Sequence, residues 1–578
     1  MRILCDKGEF ILPADFKTQL SRYNVLVTAA GEQSNQITLP PLPENLRLVN
    51  YSFRDDDVYA PLTELSVMVV MDLVSRKGNM SISNIDETDG ITVTLYFGSA
   101  AFYSAIDETK MAQLPWPILK SNDSDFMGRV NWLVTQLEYD GYYDFDESND
   151  WCAPPILTEK TIVYRKNELY ASNSFTTEPQ FLNGFDRLDE ATFTNNELKL
   201  RTEFGHGYID VKENDTTLNL TKGYSKTPFL KLKYVLNFVF EQHGLEFDWD
   251  YTVQKLGFDP FRHVFILNNV ADAIYAGVLL YSQLVPNLSI KEFLARIEKL
   301  LAARFVINEY TNQVRLVQIK ELIEAEPGID LTPYLSSKPK RLPGEFKNVR
   351  VLDGRKEDKE KEDTSTTNIS ATGTEPNSSV ENSTITGKIK DEKIEIDTLS
   401  ASTGYNHIKL TDDNDVVYDV IFKSIKVDGL IHKNSSVIVD GKVTSTTEDS
   451  STDLKLFYFD GVWVEAPISS PLTTDKKFWY KQPQEFMRKN DDYQKTEFDI
   501  IASWYTSIQA LYIDSALPIE AKLVIPKNKL IGIDLSKPVL LNGQKLLIES
   551  MKYEIGGDDT DVDVSATFRT TRSYSARA

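Results

Sequence analysis

The sequence predicts an α+β, β-rich, multidomain chain, with antiparallel β-barrel or sandwich domains and a small helical module in the middle. Three observations carry this. The chain has 578 residues, more than one compact core accommodates at roughly 150 residues per domain. Short β-branched and aromatic runs between turn residues recur toward both ends, as in ITVTLYF (91–97) and VLLNGQKLLIESMKYEI (539–555). The central stretch 227–319 shows most legibly apolar residues at helical spacing with capping residues at the ends.

Residues 1–106 read as an N-terminal β-barrel or sandwich domain. Val25, Leu26 and Val27, then Ile82, then 91–97 are its strand signals. The segment 34–51 carries Pro40, Pro41 and Pro43 and suits an extended stretch that cannot join the middle of a sheet. LSVMVVMDLVSRKGNMSIS (65–83) reads as two strands joined by a turn near Arg76, Lys77 and Gly78. Residues 107–225 read as a mixed α/β connecting domain. It has a helix over 125–137, an acidic and aromatic loop over 139–151, and strands at 161–164 and 197–202.

Residues 226–325 form the two-helix plus hairpin module. Thr227 is placed to cap the first helix, with Pro228 at the first helical position, where its missing N–H costs nothing. Leu232, Val235, Leu236, Val239 and Phe240 make the apolar stripe, His243 lies in the last turn, and Gly244 is the stop. Ser289 and Glu292 have the spacing of a capping box, with Leu288 and Phe293 where a hydrophobic staple belongs. Phe293, Leu294, Ile297, Leu300 and Leu301 give the second helix its buried face. Between the helices, Asn268, Asn269 and Asp272 are expected to cap or satisfy a buried turn. A hairpin follows, turning at 309–312.

Residues 326–387 read as a linker with a mobile, Ser/Thr-rich insert at 364–386, too poor in apolar residues to offset its own ordering entropy. Residues 388–485 form a β-rich, aromatic-rich domain, and 486–578 a C-terminal β domain. Within the latter, Asn542 and Gly543 sit between two strand runs, a strong hairpin signal.

Chemistry is hard to find. A net charge of −23 opposes a nucleic-acid clamp, which needs Lys and Arg on phosphates. The same charge suits a surface that lets a polyanion pass. Cys5 and Cys152 are expected to be unpaired thiols. His206, His243, His263, His407 and His432 show no metal-ligand spacing, and His243 reads as a helix C-terminal residue. No nucleophile elbow or phosphate loop occurs. The acidic clusters at 412–415 and 558–561 lack the glycine and terminal glutamate of a calcium loop. Tyr458, Trp463, Trp479 and Tyr480 read as core or interface residues ahead of a glycan platform. No catalytic, cofactor-binding or metal residue is assigned, and no cofactor is expected. The N-terminus does not read as a signal peptide. The longest apolar run, 65–74, falls short of a spanning helix, so no membrane anchor is expected.

The stretches SNQITLPPLPENLRL (34–48), TPFLKLKYVLNFVFEQHGLEF (227–247), ILNNVADAI (266–274) and LVPNLSIKEFLARIEKLLAARFVIN (284–308) resemble a family of phage and prophage tail proteins from gut bacteria. VLLNGQKLLIESMKYEI is similar to the ending of such chains. The resemblance spans most of the chain, and its motifs are structural. It implies a virion protein of the tail tip or baseplate, made in the host cytoplasm and similar in role to a tail hub. It also implies tail-tube-like hub barrels, assembly as a homotrimer, and contacts with the tail tube or distal tail protein and with other tail-tip or fibre proteins. DNA would be met only in transit through the lumen. The insert at 364–386 departs from the family pattern, leaving open a hub domain or an attachment module beyond it. Alternatives are a receptor-binding or cell-wall-glycan-degrading tail-tip protein, and the hub of a phage-derived contractile injection system.

Overall fold

The computed structural model describes residues 1–50 except 14–15 and 28–30, 63–138 except 72–73, 149–352 and 392–485 with short interruptions, and 518–570 except 557–559. In 159–181, 184–225, 346–352, 392–397, 403–424, 437–444 and 463–485 it describes backbone elements alone. The Ser/Thr-rich insert, His206, His432 and the cluster 412–415 lie outside the described residues, as do most of the loop 139–151 and residues 558 and 559.

The fold is β-rich α+β, and its largest element is a 14-stranded sheet built from both ends of the chain. Its path runs Gly8–Phe10, Arg2–Cys5, Glu64–Met71, Val74–Asp86, Gly90–Phe97, Glu32–Ser34 and Thr18–Tyr23. It continues without a break into Gln544–Ile555, Asp561–Thr570, Ile519–Pro526 and Lys340–Arg341. The two halves meet antiparallel, Thr18 opposite Ile555 through Tyr23 opposite Ser550. Burial alternates along Gly90–Phe97 and Ile519–Pro526, as a sheet with one covered face requires. The buried face forms one core in which Ile3, Val69, Met80, Val93 and Phe97 share contacts with Ile548, Met551, Val564 and Phe568.

This arrangement corrects the division into separate domains 1–106 and 486–578. Kept apart, each half would leave a long row of backbone N–H and C=O groups on its own exposed edge, and pairing the two edges satisfies both. Side chains reinforce the join. Asn24 Nδ2 donates to the Leu535 and Ile548 carbonyls at 2.6 and 2.9 Å. Arg22 donates to the carbonyl of Ile533 at 3.1 Å and lies 3.2 Å from Glu32, which Arg76 meets at 2.6 Å. The barrel alternative is also corrected: the end strands Gly8–Phe10 and Lys340–Arg341 are not paired with each other, so the path stays open among the described residues.

Three local expectations fail, the first at Val25, Leu26 and Val27, which form a turn beyond strand Thr18–Tyr23 with the Val27 N–H donating to the Asn24 carbonyl. The hairpin of Glu64–Met71 and Val74–Asp86 reverses between Met71 and Val74, so Arg76, Lys77 and Gly78 sit inside a strand. Gly78 is there because a Cβ would run into the Tyr96 carbonyl and the Phe97 ring. The proline-rich segment is not extended throughout: Pro43–Leu48 is a helix with Pro43 in its first turn. At the other end, Leu541 pairs with Gln544 around Asn542 and Gly543, whose φ angles of 51° and 72° suit the twist of a two-residue hairpin.

The second body is helical at its centre. Helices Phe126–Glu138, Leu232–Glu241 and Ile290–Leu300 and the hairpin Ala303–Asn308/Gln313–Gln318 pack into one core. That core draws on three of the expected domains, with Leu133 and Trp151, then Leu236, Phe240, Phe293 and Phe305, then Leu456, Phe457 and Phe459. Val264–Ile266 pairs with Leu456–Tyr458, so part of the aromatic-rich segment completes the helical module. The sheet of 403–481 is mixed, since Val417–Ile425 runs parallel to Lys476–Lys481.

Candidate functional site

The feature that organises the molecule is the seam where the terminal sheet meets the central body. Helix Ser99–Ala105 follows strand Gly90–Phe97 directly and leaves the sheet at Gly98. Its Phe102 and Tyr103 belong to the central core. Phe102 lies 5.6 Å from the Phe240 ring and edge-on to His243 at 5.5 Å. Ser99 Oγ accepts from the Ile307 N–H at 3.3 Å.

Glu298 is the polar centre of this seam and is 1% exposed, which makes its bonding decisive. Its Oε1 accepts from the Tyr103 hydroxyl at 2.7 Å and from the Phe305 N–H at 2.9 Å. Its Oε2 accepts from Arg304 Nη1 at 3.1 Å. Burial pushes the Glu298 carboxyl up, opposed first by the Arg304 guanidinium and then by these hydrogen bonds. Burial, with the Glu298 charge second, pushes the Tyr103 phenol well up. Both carboxylate oxygens are engaged, so the group joins three elements, Ser99–Ala105, Ile290–Leu300 and Ala303–Asn308. Elsewhere in the seam, a cleft of about 590 Å³ opens between the outer face of the sheet (Leu4, Met68, Asn79) and the central body (Phe102, His243, Ile307). Burial depresses the pKa of His243.

A second joint holds Ile431, Lys433 and Asn434 to the turn after Val264–Ile266. Asp272, fully buried, accepts from the N–H groups of Lys433 at 2.9 Å and Asn434 at 2.7 Å. The Ile431 N–H donates to the Asn269 carbonyl at 2.9 Å. Asn268 Oδ1 accepts from Val270 N–H, and its Nδ2 donates to the Pro228 carbonyl at 2.9 Å. These three residues therefore tie two distant stretches of chain together as well as satisfying their own turn.

The remaining sequence-assigned residues fall as follows. Thr227 does not cap a helix, because Leu232–Glu241 begins after Lys231 and Phe229–Leu230 is a short strand paired with Trp151–Cys152. Thr227 is instead held through its backbone by the Asn183 amide, with Pro228 beside it in extended chain. The pull of the strand pairing outweighs the local capping signal. Leu236 and Phe293 are fully buried. Gly244 has φ of 68°, its N–H donates to Glu241, and the Leu245 N–H donates to Phe240, a Schellman closure. Ser289 caps Ile290–Leu300 by accepting from the Glu292 N–H at 3.1 Å. The expected reciprocal half of the box is replaced, since the Glu292 carboxylate accepts from Arg296 at 2.6 Å. An adjacent guanidinium is a stronger donor than the backbone.

Sequence reasoning missed Glu298, Tyr103 and Arg304. A signal was present: Glu298 occupies an apolar-stripe position with Leu294 and Leu301, where a carboxylate needs partners. Cys5 and Cys152 are both free, and burial pushes the Cys152 thiol well up, leaving it a poor nucleophile. Among the described residues no three His, Cys, Asp or Glu side chains converge as a metal site, and no helix is long and apolar enough to cross a membrane.

No family model matches the chain, and no curated protein does. Among solved structures, the prophage MuSo2 43 kDa tail protein from Shewanella oneidensis is similar over 99% of this chain and 97% of that one, with 7% identity and a TM-score of 0.31.

Proposed function

We propose that the chain is a structural component of a phage or prophage tail, a hub of the tip or baseplate that joins tube to tip around the DNA passage. The observation that supports it best is the seam. A sheet built from both ends of the chain is fixed to a helical body by a buried carboxylate whose oxygens are all engaged. Such a joint sets the angle between two bodies and performs no turnover. The sequence resemblance to tail proteins points the same way. The reading is non-enzymatic and homotrimeric. Its partners are the tail tube or distal tail protein and neighbouring tip or fibre proteins, with the net charge of −23 keeping DNA in transit from adhering.

The test is to delete the gene from the phage or prophage and to look for the chain in purified tails. Loss of complete tails on deletion, with the chain present in wild-type tails, is the expected result. A chain that stays monomeric at every concentration and is missing from purified tails would overturn the reading. Clearing of host cell walls by the pure protein in a zymogram would overturn its non-enzymatic part.

A further inference from the structure

An open sheet exposes two edges, and an unprotected edge is a template for another strand. At one end the chain covers its own edge. Lys340–Arg341 pairs with Ile519–Pro526, the Ser336 N–H donates to the Lys522 carbonyl at 3.0 Å, and Leu335 bridges to Leu523. At the other end the edge is the strand Gly8–Phe10, which no strand among the described residues covers.

Its register shows which groups face outward. Cys5 pairs with Gly8 around a two-residue turn, Leu4 with Glu9 and Ile3 with Phe10. Hydrogen-bonded and non-hydrogen-bonded pairs alternate in such a ladder, so Glu9 and Ile11 turn their N–H and C=O away from Arg2–Cys5. Ile11 is not left open. Asn45 Oδ1 accepts from the Ile11 N–H at 2.8 Å, and Asn45 Nδ2 donates to the Ile11 carbonyl at 3.0 Å. The same Nδ2 donates to the Pro40 carbonyl at 3.0 Å, which fixes the carboxamide in place. Asn45 is fully buried on helix Pro43–Leu48, while the Ile11 side chain is 44% exposed. A carboxamide sets a C=O beside an N–H in the geometry of a peptide unit, and its second N–H is free to reach the Pro40 carbonyl. Here it satisfies both outward groups of Ile11, which an added strand would otherwise satisfy.

We infer that Asn45 is an edge guard: its side chain stands in for one rung of a partner strand and so prevents a second copy of this chain from extending the terminal sheet at Gly8–Phe10. Burial of Asn45 on a short helix is explained by this role. The apolar Ile11 beside the guarded rung is the side chain that a second copy would cover once the guard is gone.

Two measurements test it. Hydrogen exchange on the wild-type full chain should show the Ile11 amide protected and the Glu9 amide unprotected. Equal, unprotected exchange at both would overturn the inference without any variant. In Asn45→Ala the Ile11 amide should exchange at least about fivefold faster in dilute solution, the factor one net hydrogen bond is worth. By sedimentation, the variant should form species larger than the wild-type assembly, increasing with concentration. Adding Ile11→Lys, a charge at an already exposed edge position, should return the variant to the wild-type mass. Asn45→Ala that keeps a wild-type circular dichroism spectrum and the wild-type mass at every concentration would overturn the inference. So would larger species that persist in the Asn45→Ala, Ile11→Lys double variant.

Discussion

The terminal sheet and the central helical body solve the same problem, burial of an apolar face, by opposite routes. The helices of the central body are begun and ended by local devices: Ser289 caps one from three residues away, and another ends at Gly244, whose N–H donates to Glu241 while that of Leu245 donates to Phe240. The sheet is closed by partners from the far end of the chain, with Thr18–Tyr23 beside Gln544–Ile555 and Asn24 bonded to Ile548. Local closure is encoded in spacing that a short window reveals. Distant closure is encoded only in the existence of two strands that each need a neighbour. The seam at Glu298 is where the two kinds of organisation are fastened together.

The sharpest way to break the comparison is to cut that fastening. Glu298→Ala leaves the Arg304 guanidinium, the Tyr103 hydroxyl and the Phe305 N–H without their shared acceptor. Loss of one partner of a buried pair costs about 3–5 kcal/mol. Urea unfolding should show that loss, with the sheet and the helical body separating into two transitions.

A smaller effect is expected where the two chain ends join. Asn24→Ala removes a buried amide from the Leu535 and Ile548 carbonyls and should cost about 1–3 kcal/mol. Amide exchange should rise along Gln544–Ile555 and stay unchanged in Ile290–Leu300. A local cap matters less still: Ser289→Ala should cost about 1 kcal/mol, confined to exchange at the start of its helix.

The smallest effect is set by pH. Burial holds the folded pKa of His243 below the ordinary histidine value of about 6.5, so the folded state favours the neutral ring. The stability linked to that ring is fully present above the ordinary value and is lost as pH falls through the lower, folded pKa. His243→Gln should flatten that part of the decline when melting temperature is followed from about pH 7.5 to about pH 5.

The same contrast explains what the sequence revealed. The apolar stripes of both helices, the Gly244 stop and the Asn542–Gly543 hairpin rest on residues a few positions apart, and the structure places them there. The N-cap at Thr227 misled because the strand Phe229–Leu230 pairs with Trp151–Cys152, a partner about 80 residues earlier that no local window contains. Gly78 misled because a glycine needed for close strand approach looks like a turn glycine in sequence. Asp272 was recognised as a turn residue, but its partners Lys433 and Asn434 lie 161 and 162 positions away. Glu298 alone broke a local pattern, and a carboxylate in an apolar stripe was the one sign of the seam that the sequence offered.

The central claim is that the two ends of the chain form one sheet, and a cross-link tests it most directly. Gln19 and Glu554 are directly opposed in the register and both side chains are exposed. In the Gln19→Cys, Glu554→Cys variant, mild oxidation of the folded protein should give a disulfide between residues 19 and 554 in high yield, read by peptide mapping. Two reactive, freely alkylated thiols with no 19–554 cross-link would contradict the account.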